Sequence, residues 1–233
     1  MDDRPVLIST NILPASLVEA ATERGVLVKN LPFIETFLLE DIETISEIES
    51  VLQLMTTVIF TSQEAIQAIA AHMDDIIPDW RIYCTAPATA ALAARQFGEE
   101  AIAGTAPDGV GLASVIMEEE KPDEIFFFCG RKHRRELPEL LTAAGFDLNL
   151  IEVYDTQPVS HTVSGDYAGV LFFSPSAADS FFATNKLSPH SIAFAIGDTT
   201  ATAIRKHSAN RIVTAGQPDK ELLLNLALEI LTT

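Results

Sequence analysis

Short apolar runs alternate with longer stretches whose apolar positions repeat at helical spacing. "RPVLIST" (residues 4–10) reads as a buried strand, and "LPASLVEAATERG" (13–25) as a helix ended by Gly25. "VLVKNLPFIETFLL" (26–39) is extended. In "DIETISEIESVLQLM" (41–55), Ile42, Ile45, Ile48, Val51, Leu52 and Met55 fall on one helical face with acids on the other. The alternation continues with strand "TVIFTS" and helix "QEAIQAIAAHM", then strand "WRIYCTA" and helix "PATAALAARQFG". A helix "GVGLASVIMEEE" is followed by strand "DEIFFFCG", helix "RRELPELLTAAG" and the extended "FDLNLIEVYDTQPV". The C-terminal third repeats the theme: "GVLFFS" and "SAADSFFATN", "SIAFAIG" and "DTTATAIRKH", "RIVTAG" and "DKELLLNLALEILTT". Strands that are apolar throughout and alternate with helices predict parallel sheets covered on both faces.

The pattern repeats internally. "VIFTSQEAI" begins at Val58 and "VLFFSPSAA" at Val170, an offset of 170 − 58 = 112; "AG" recurs at Gly104 and Gly216 with the same offset. Thr89 pairs with Thr200 after a slip of one residue. Two copies of this length predict two similar α/β units, not a solenoid. The first strand and helix also need a parallel sheet to join, and the extended stretches "VKNLPFIETF" and "LIEVYDTQPV" flank the middle of the chain. They are expected to be paired crossings near residues 32–36 and 154–158. One discontinuous lobe would then hold 1–33 plus 157–233, and the inserted lobe 37–153. The alternative is a one-way chain with a single linker.

Composition narrows the function. In 233 residues, 48% apolar, 33 acids face 15 bases for a formal charge of −18. That argues against non-specific binding to nucleic acid or to an anionic membrane. The beginning "MDDRPVLIST" lacks the basic start and apolar core of a signal peptide, and no apolar run is long enough to span a bilayer, so a cytoplasmic protein is expected. Cys84 and Cys129 have no ligand spacing around them and are expected to be buried, reduced thiols. The five histidines are scattered, and there is no phosphate loop of Rossmann or Walker type, so no metal and no cofactor are expected.

A small hydroxyl or a glycine does recur at strand ends, where a helix begins: Ser62, Thr85, Gly130, Ser174 with Ser176, and Gly197 with Thr199 and Thr200. In open α/β sheets ligands bind outside the carboxyl ends of strands, where helix N-termini suit anions. Each hydroxyl taken singly is equally an ordinary helix cap. Two matching sets favour a ligand held between two lobes. The basic run "RKHRR", with Arg131, Lys132, Arg134 and Arg135 around His133, follows a strand directly. An anionic partner would explain such charge in an acidic chain; a solvated loop balancing nearby acids is the alternative.

"FCGRKHRRELPELLTAAGFDLNLIEVYDT", "VLFFSPSAADSFF" and "FAIGDTTATAI" together resemble the uroporphyrinogen-III synthase family, over almost the whole chain. One departure is Ala86, where the family stretch "G-x-A-T-A" has glycine. The resemblance implies two flavodoxin-like α/β lobes joined by a two-stranded β ladder, with the active site in the cleft, and no cofactor or metal. It implies a small-molecule substrate, hydroxymethylbilane, a linear tetrapyrrole with eight carboxylates, cyclised with inversion of ring D to uroporphyrinogen III. It assigns Tyr154 as the general acid, and Ser62, Thr89, Gly130, Arg131, Ser174, Ser176, Gly197, Thr199 and Thr200 as substrate contacts. Arg131 is expected to be the direct basic contact, with Lys132, Arg134 and Arg135 steering carboxylates. A monomer that binds neither nucleic acid nor membrane is expected. The competing reading is a non-catalytic two-lobe ligand-binding or sensor protein of the same fold.

Overall fold

A computed structural model describes residues 4–74, 76–85, 87–121 and 123–232. In chain order the elements are β1 (Val6–Ser9), α1 (Ala15–Glu23), β2 (Leu27–Asn30), β3 (Ile34–Leu38), α2 (Ile42–Leu52), β4 (Thr56–Phe60), α3 (Gln63–Ala70), β5 (Trp80–Thr85), α4 (Ala88–Phe97), β6 (Ile102–Ala106), α5 (Gly109–Glu119), β7 (Glu124–Gly130), α6 (Glu136–Ala143), β8 (Asp147–Pro158), β9 (Gly169–Phe172), α7 (Pro175–Thr184), β10 (Ile192–Ala195), α8 (Asp198–Arg205), β11 (Ile212–Thr214) and α9 (Lys220–Leu231). The chain divides into two compact units, Met1–Glu35 with Gln157–Thr233, and Thr36–Thr156. Both divisions fall inside paired strands, β3 and β8. Leu39 N–H donates to the Val153 carbonyl and Val159 N–H to that of Phe33, so the two strands run antiparallel.

Unit 1 has the parallel order β11-β10-β9-β1-β2. Taken in chain order this is 2-1-3-4-5, the flavodoxin arrangement. Unit 2 has β6-β5-β4-β7-β8, with β3 added at the β8 edge. In chain order its parallel strands read 3-2-1-4-5, the other doubly wound arrangement, so both units are the parallel sheets flanked by helices that were expected, with different strand orders. The two sheets nevertheless have one spatial plan, entered at different points: β9-β10-β11 stand where β4-β5-β6 do, and β1-β2 where β7-β8 do. The turns agree in detail. Gly25 N–H bonds Thr22 and Val26 N–H bonds Ala21; Gly145 N–H bonds Thr142 and Phe146 N–H bonds Leu141, an offset of 145 − 25 = 120 throughout. Both glycines have φ near +90° (+81° and +92°), which closes a helix at no steric cost.

Register also refines the repeat. Phe60 lies opposite Cys84 as Phe172 does opposite Ala195, and Cys84 opposite Thr105 as Ala195 does opposite Thr214. The offset therefore falls from 112 to 111 to 109 along the three strands. The slip pairing Thr89 with Thr200 is real, whereas Gly104 and Gly216 are not equivalent. One strand escapes the apolar pattern altogether: β6, "IAGTA", is an edge strand of small residues with no β-branched run to mark it.

Each sheet is packed on both faces. In unit 2 one cluster is built on Val58, Phe60, Trp80 and Phe128, and the other on Ile59, Tyr83, Phe127 and Leu141. In unit 1 the clusters centre on Phe172 and Phe181, and on Leu7, Phe194 and Leu224. Helix starts follow the capping rule: Asp41, Ser62, Asp108, Ser174 and Asp219 each accept the N–H three residues on. In α2 only the Ile48–Leu52 end of the expected stripe is buried, and Ile42 is 85% exposed.

Candidate functional site

The parallel strands of unit 2 reverse direction of growth between β4 and β7, the switch point at which open α/β sheets bind ligands. A pocket of about 480 Å³ opens there, at the carboxyl ends of the strands. Thr61 and Ser62 line it from the end of β4, Thr85 from β5, and Phe127 and Gly130 from β7. Pro107 and Asp108, between β6 and α5, and Gly109 and Val110, which begin α5, close another side; Lys132, His133 and Arg134 lead from β7 to α6; Tyr154 enters from β8.

Tyr154 owes its place to a β-bulge. Cys129 lies opposite Glu152, yet Gly130 lies opposite Tyr154, so Val153 is an extra residue in β8. A bulge re-aims the side chain that follows it. Ile151, Val153 and Tyr154 consequently all pack on the same cluster, where strict alternation would send one away. The ring then lies over the bare Cα of Gly130: a Cβ there would stand 2.5 Å from Cε2 and 2.6 Å from Cζ of Tyr154. Arg131 N–H donates to the Tyr154 carbonyl at 3.0 Å, pinning the backbone of the same residue. Burial pushes the Tyr154 phenol up from its ordinary value, a Ser62 hydrogen bond draws it partly back, and Glu64 and Cys129 add to the rise. The phenol keeps its proton at neutral pH.

The basic residues divide by position. Lys132 lines the pocket and donates to the Thr156 carbonyl at 3.1 Å; Arg134 lines it too. Arg131, the expected direct contact, does not line the pocket. Its guanidinium lies 3.6 Å from Glu152 and 3.8 Å from Asp155. Arg135, the cap residue before α6, is exposed, 3.8 Å from Glu139 of that helix. The basic run is a turn that precedes α6, not its first turn, which carries Glu136 and Glu139 instead. The acids there suit the positive end of the helix dipole, whereas the cations just before it stand against that dipole. His133 Nδ1 is 3.1 Å from the Gly130 carbonyl and 3.5 Å from Cys129 Sγ.

The other expected contacts are dispersed. Thr89 is buried behind Thr85, whose hydroxyl it meets at 3.4 Å, and does not line the pocket. Ser174 caps α7, Ser176 and Thr199 are exposed at helix starts in unit 1, Gly197 precedes α8, and Thr200 is buried. Ala86 lies outside the described residues. Sequence reasoning did not single out Pro107–Val110: "PDGVG" fails as a phosphate loop, and the strand that aims it has no apolar run to reveal it. Both thiols are buried and free. Among the described residues, no group of three or more acids, histidines or cysteines could hold a metal ion, and no helix is long and apolar enough to cross a membrane.

The sequence matches the HEM4 family model, uroporphyrinogen-III synthase HemD, over residues 15–225. Among curated proteins, none matches. Three solved structures share the fold over nearly their full length. One is the uroporphyrinogen-III synthetase of Helicobacter pylori, 18% identical, TM-score 0.68, covering 97% of this chain and 99% of that one. A second is a mutant uroporphyrinogen III synthase from the extremely thermophilic bacterium Thermus thermophilus, 11% identical, TM-score 0.69, covering 97% and 98%. The wild-type Thermus enzyme is 12% identical, with a TM-score of 0.51 and coverage of 97% of both chains.

Proposed function

Because the chain belongs to the uroporphyrinogen-III synthase family, we propose that it cyclises hydroxymethylbilane to uroporphyrinogen III, inverting ring D and releasing water. The observation that carries this reading to particular residues is Tyr154, held protonated opposite the end of β7 in a pocket rimmed by Lys132 and Arg134.

Tyr154 gives its proton to the departing hydroxyl, which leaves as water and produces an electrophilic azafulvene. Attack by ring D at its substituted carbon gives a spiro intermediate, which fragments and recloses with the ring reversed. The proton lost when the last pyrrole regains aromaticity restores the phenol, so protons balance over the cycle. The free linear chain closes to isomer I unaided, so the enzyme's main task is to hold a geometry. Lys132, Arg134 and the N–H groups of Gly109 and Val110 are the proposed partners of acetate and propionate groups. Gly130 contributes the seat of Tyr154, and Arg131 and Arg135 act on the field around the turn. Ser174, Ser176, Gly197, Thr199 and Thr200 are proposed further contacts from unit 1, and Thr89 a support for Thr85. The same reading describes a monomeric cytoplasmic enzyme that works without metal or cofactor.

The test is to supply hydroxymethylbilane and separate the product isomers. Isomer III in excess of isomer I is expected, with Tyr154→Phe slower by roughly 10²–10⁴-fold, the usual worth of a general acid. Isomer I alone, at the spontaneous rate, would reject the activity and favour the binding protein. Unchanged rate and isomer ratio in Tyr154→Phe would remove that residue's role.

A further inference from the structure

The reading of Tyr154 as the acid, on which this inference rests, accounts for one proton at one place in the substrate. The hydroxyl leaves from the methylene at the ring A end. Reclosure happens elsewhere. The unsubstituted α-carbon of ring D, the one pyrrole α-carbon that still carries hydrogen, bonds to the methylene of ring C and then loses that hydrogen as a proton. A second group is needed there to take it. Imidazole is the side chain that both accepts and gives a proton near neutral pH, and His133 lines the pocket.

The His133 ring is held in one tautomer. Nδ1 lies 3.1 Å from the Gly130 carbonyl oxygen and 3.5 Å from Cys129 Sγ. A carbonyl only accepts, so Nδ1 carries the ring proton, and Nε2 of the neutral imidazole keeps its lone pair. A thiol proton donated to a bare Nδ1 would instead leave the carbonyl oxygen without a donor. The ring packs edge-on against Phe127, with centroids 6.0 Å apart and planes at 74°. Among the described residues, Nε2 has no hydrogen-bond partner. Gly130 ties this ring to the acid. Its carbonyl holds His133, and its bare Cα seats Tyr154: a Cβ there would stand 3.0 Å from the phenol oxygen. Both side chains bear on one residue and line one pocket.

We propose that His133 is the catalytic base of the last step. Its Nε2 takes the proton from the α-carbon of ring D as the pyrrole regains aromaticity: the C–H bond breaks, its electron pair returns to the ring, and an N–H bond forms. The imidazolium then passes the proton to the Tyr154 phenolate left by the first step, so both groups return to their resting states.

Two measurements test this. In the full chain labelled with nitrogen-15 histidine, proton–nitrogen NMR reads the tautomer at pH 8.5, and His133→Asn identifies the resonances among the five histidines. A protonated Nδ1 and a bare Nε2 are expected; the opposite tautomer overturns the proposal. Kinetics with hydroxymethylbilane test the step itself. Asparagine can donate to the Gly130 carbonyl as Nδ1–H does but offers no base, so His133→Asn keeps the turn and removes the chemistry. It should lower kcat by roughly 10²-fold, the low end for a positioned base, with KM within about twofold. Substrate deuterated at that α-carbon of ring D should then be slowed by a larger factor than in the parent protein. Added imidazole should restore part of the rate to His133→Ala and none to Tyr154→Phe. Unchanged kcat in both His133 variants, or a fall that brings neither deuterium effect nor rescue, would mean that His133 only staples the turn, and would overturn the base. A parent protein that forms no isomer III rejects the functional reading and the base with it; a parent that forms isomer III while the variants lack these signs rejects the base alone.

Discussion

Cys129 shows how one residue can sit inside a site and stay out of its chemistry. Its thiol is buried, in contact with His133, one residue before the seat of Tyr154. Burial, with a smaller push from the Glu152 charge, raises it to about 12; burial raises Cys84 to about 11. A cysteine with a nucleophilic task would be shifted the other way. Both thiols ordinarily titrate at 9.0, so above that pH the unfolded chain gives up protons that the folded chain retains. Their contribution to stability is complete below pH 9 and is lost as pH rises towards about 11 and 12. Between pH 9 and 10 the loss should be about 1 kcal/mol for each thiol, with the three raised tyrosines adding to it towards pH 10. Urea melts at pH 8, 9 and 10 check this. Cys129→Ala should flatten the pH dependence even though its packing loss lowers stability at every pH, and an unaltered slope would reject the assignment. Thiol reagents at pH 8 should label neither cysteine until the protein unfolds.

At the level of elements, the turn between β7 and α6 divides four basic side chains into two kinds of work. Lys132 and Arg134 line the pocket, whereas Arg131 leans on Glu152 and Asp155 and Arg135 on Glu139. Lys132→Gln with Arg134→Gln should therefore raise KM for the polycarboxylate several-fold and flatten its dependence on salt. Arg131→Gln with Arg135→Gln, with the same loss of charge, should change both less. Initial rates from 50 mM to 500 mM salt decide it, and equal effects of the two pairs would mean that only net charge counts. The sequence made this turn conspicuous, since four cations in five positions stand out in an acidic chain. It could not tell the cations apart, because the partners of Arg131 lie on the neighbouring strand, whose register contains a bulge. Apolar runs such as "VIFTS" and "IFFFCG" announced their strands, and caps such as Ser62 and Ser174 their helices. The "IAGTA" strand gave no such notice, being an edge strand of small residues, and the pocket wall it aims, Pro107–Val110, went with it. Tyr154 was legible only through a family resemblance; the physical reasons for its position, an extra residue at 153 and a missing side chain at 130, exist only once β7 and β8 are paired.

At the scale of the molecule, the two units are one plan used twice with its chain entry moved. Unit 1 begins with the strand pair that closes unit 2, and the antiparallel β3 and β8 carry the chain out and back. Each unit has two core clusters composed only of its own residues, which gives each the means to be stable by its own packing. Such a protein need not unfold in one step. The single tryptophan makes this measurable. Trp80 is buried in unit 2 among Phe60, Phe97 and Phe128, and its indole N–H donates to the Val51 carbonyl at 3.1 Å. Its fluorescence therefore follows unit 2, while far-ultraviolet ellipticity follows the helices of both. Asp41 caps α2 in unit 2, and Asp219 caps α9 in unit 1. Replacing either by alanine should cost about 1 kcal/mol, or about 3–5 °C for a unit of this size. Asp41→Ala should lower the midpoint seen by Trp80. Asp219→Ala should shift part of the ellipticity change to lower temperature and move the Trp80 midpoint by less than about 1 °C. If both substitutions displace both signals together, the two sheets melt as one cooperative body, and separate cores do not imply separate stabilities here.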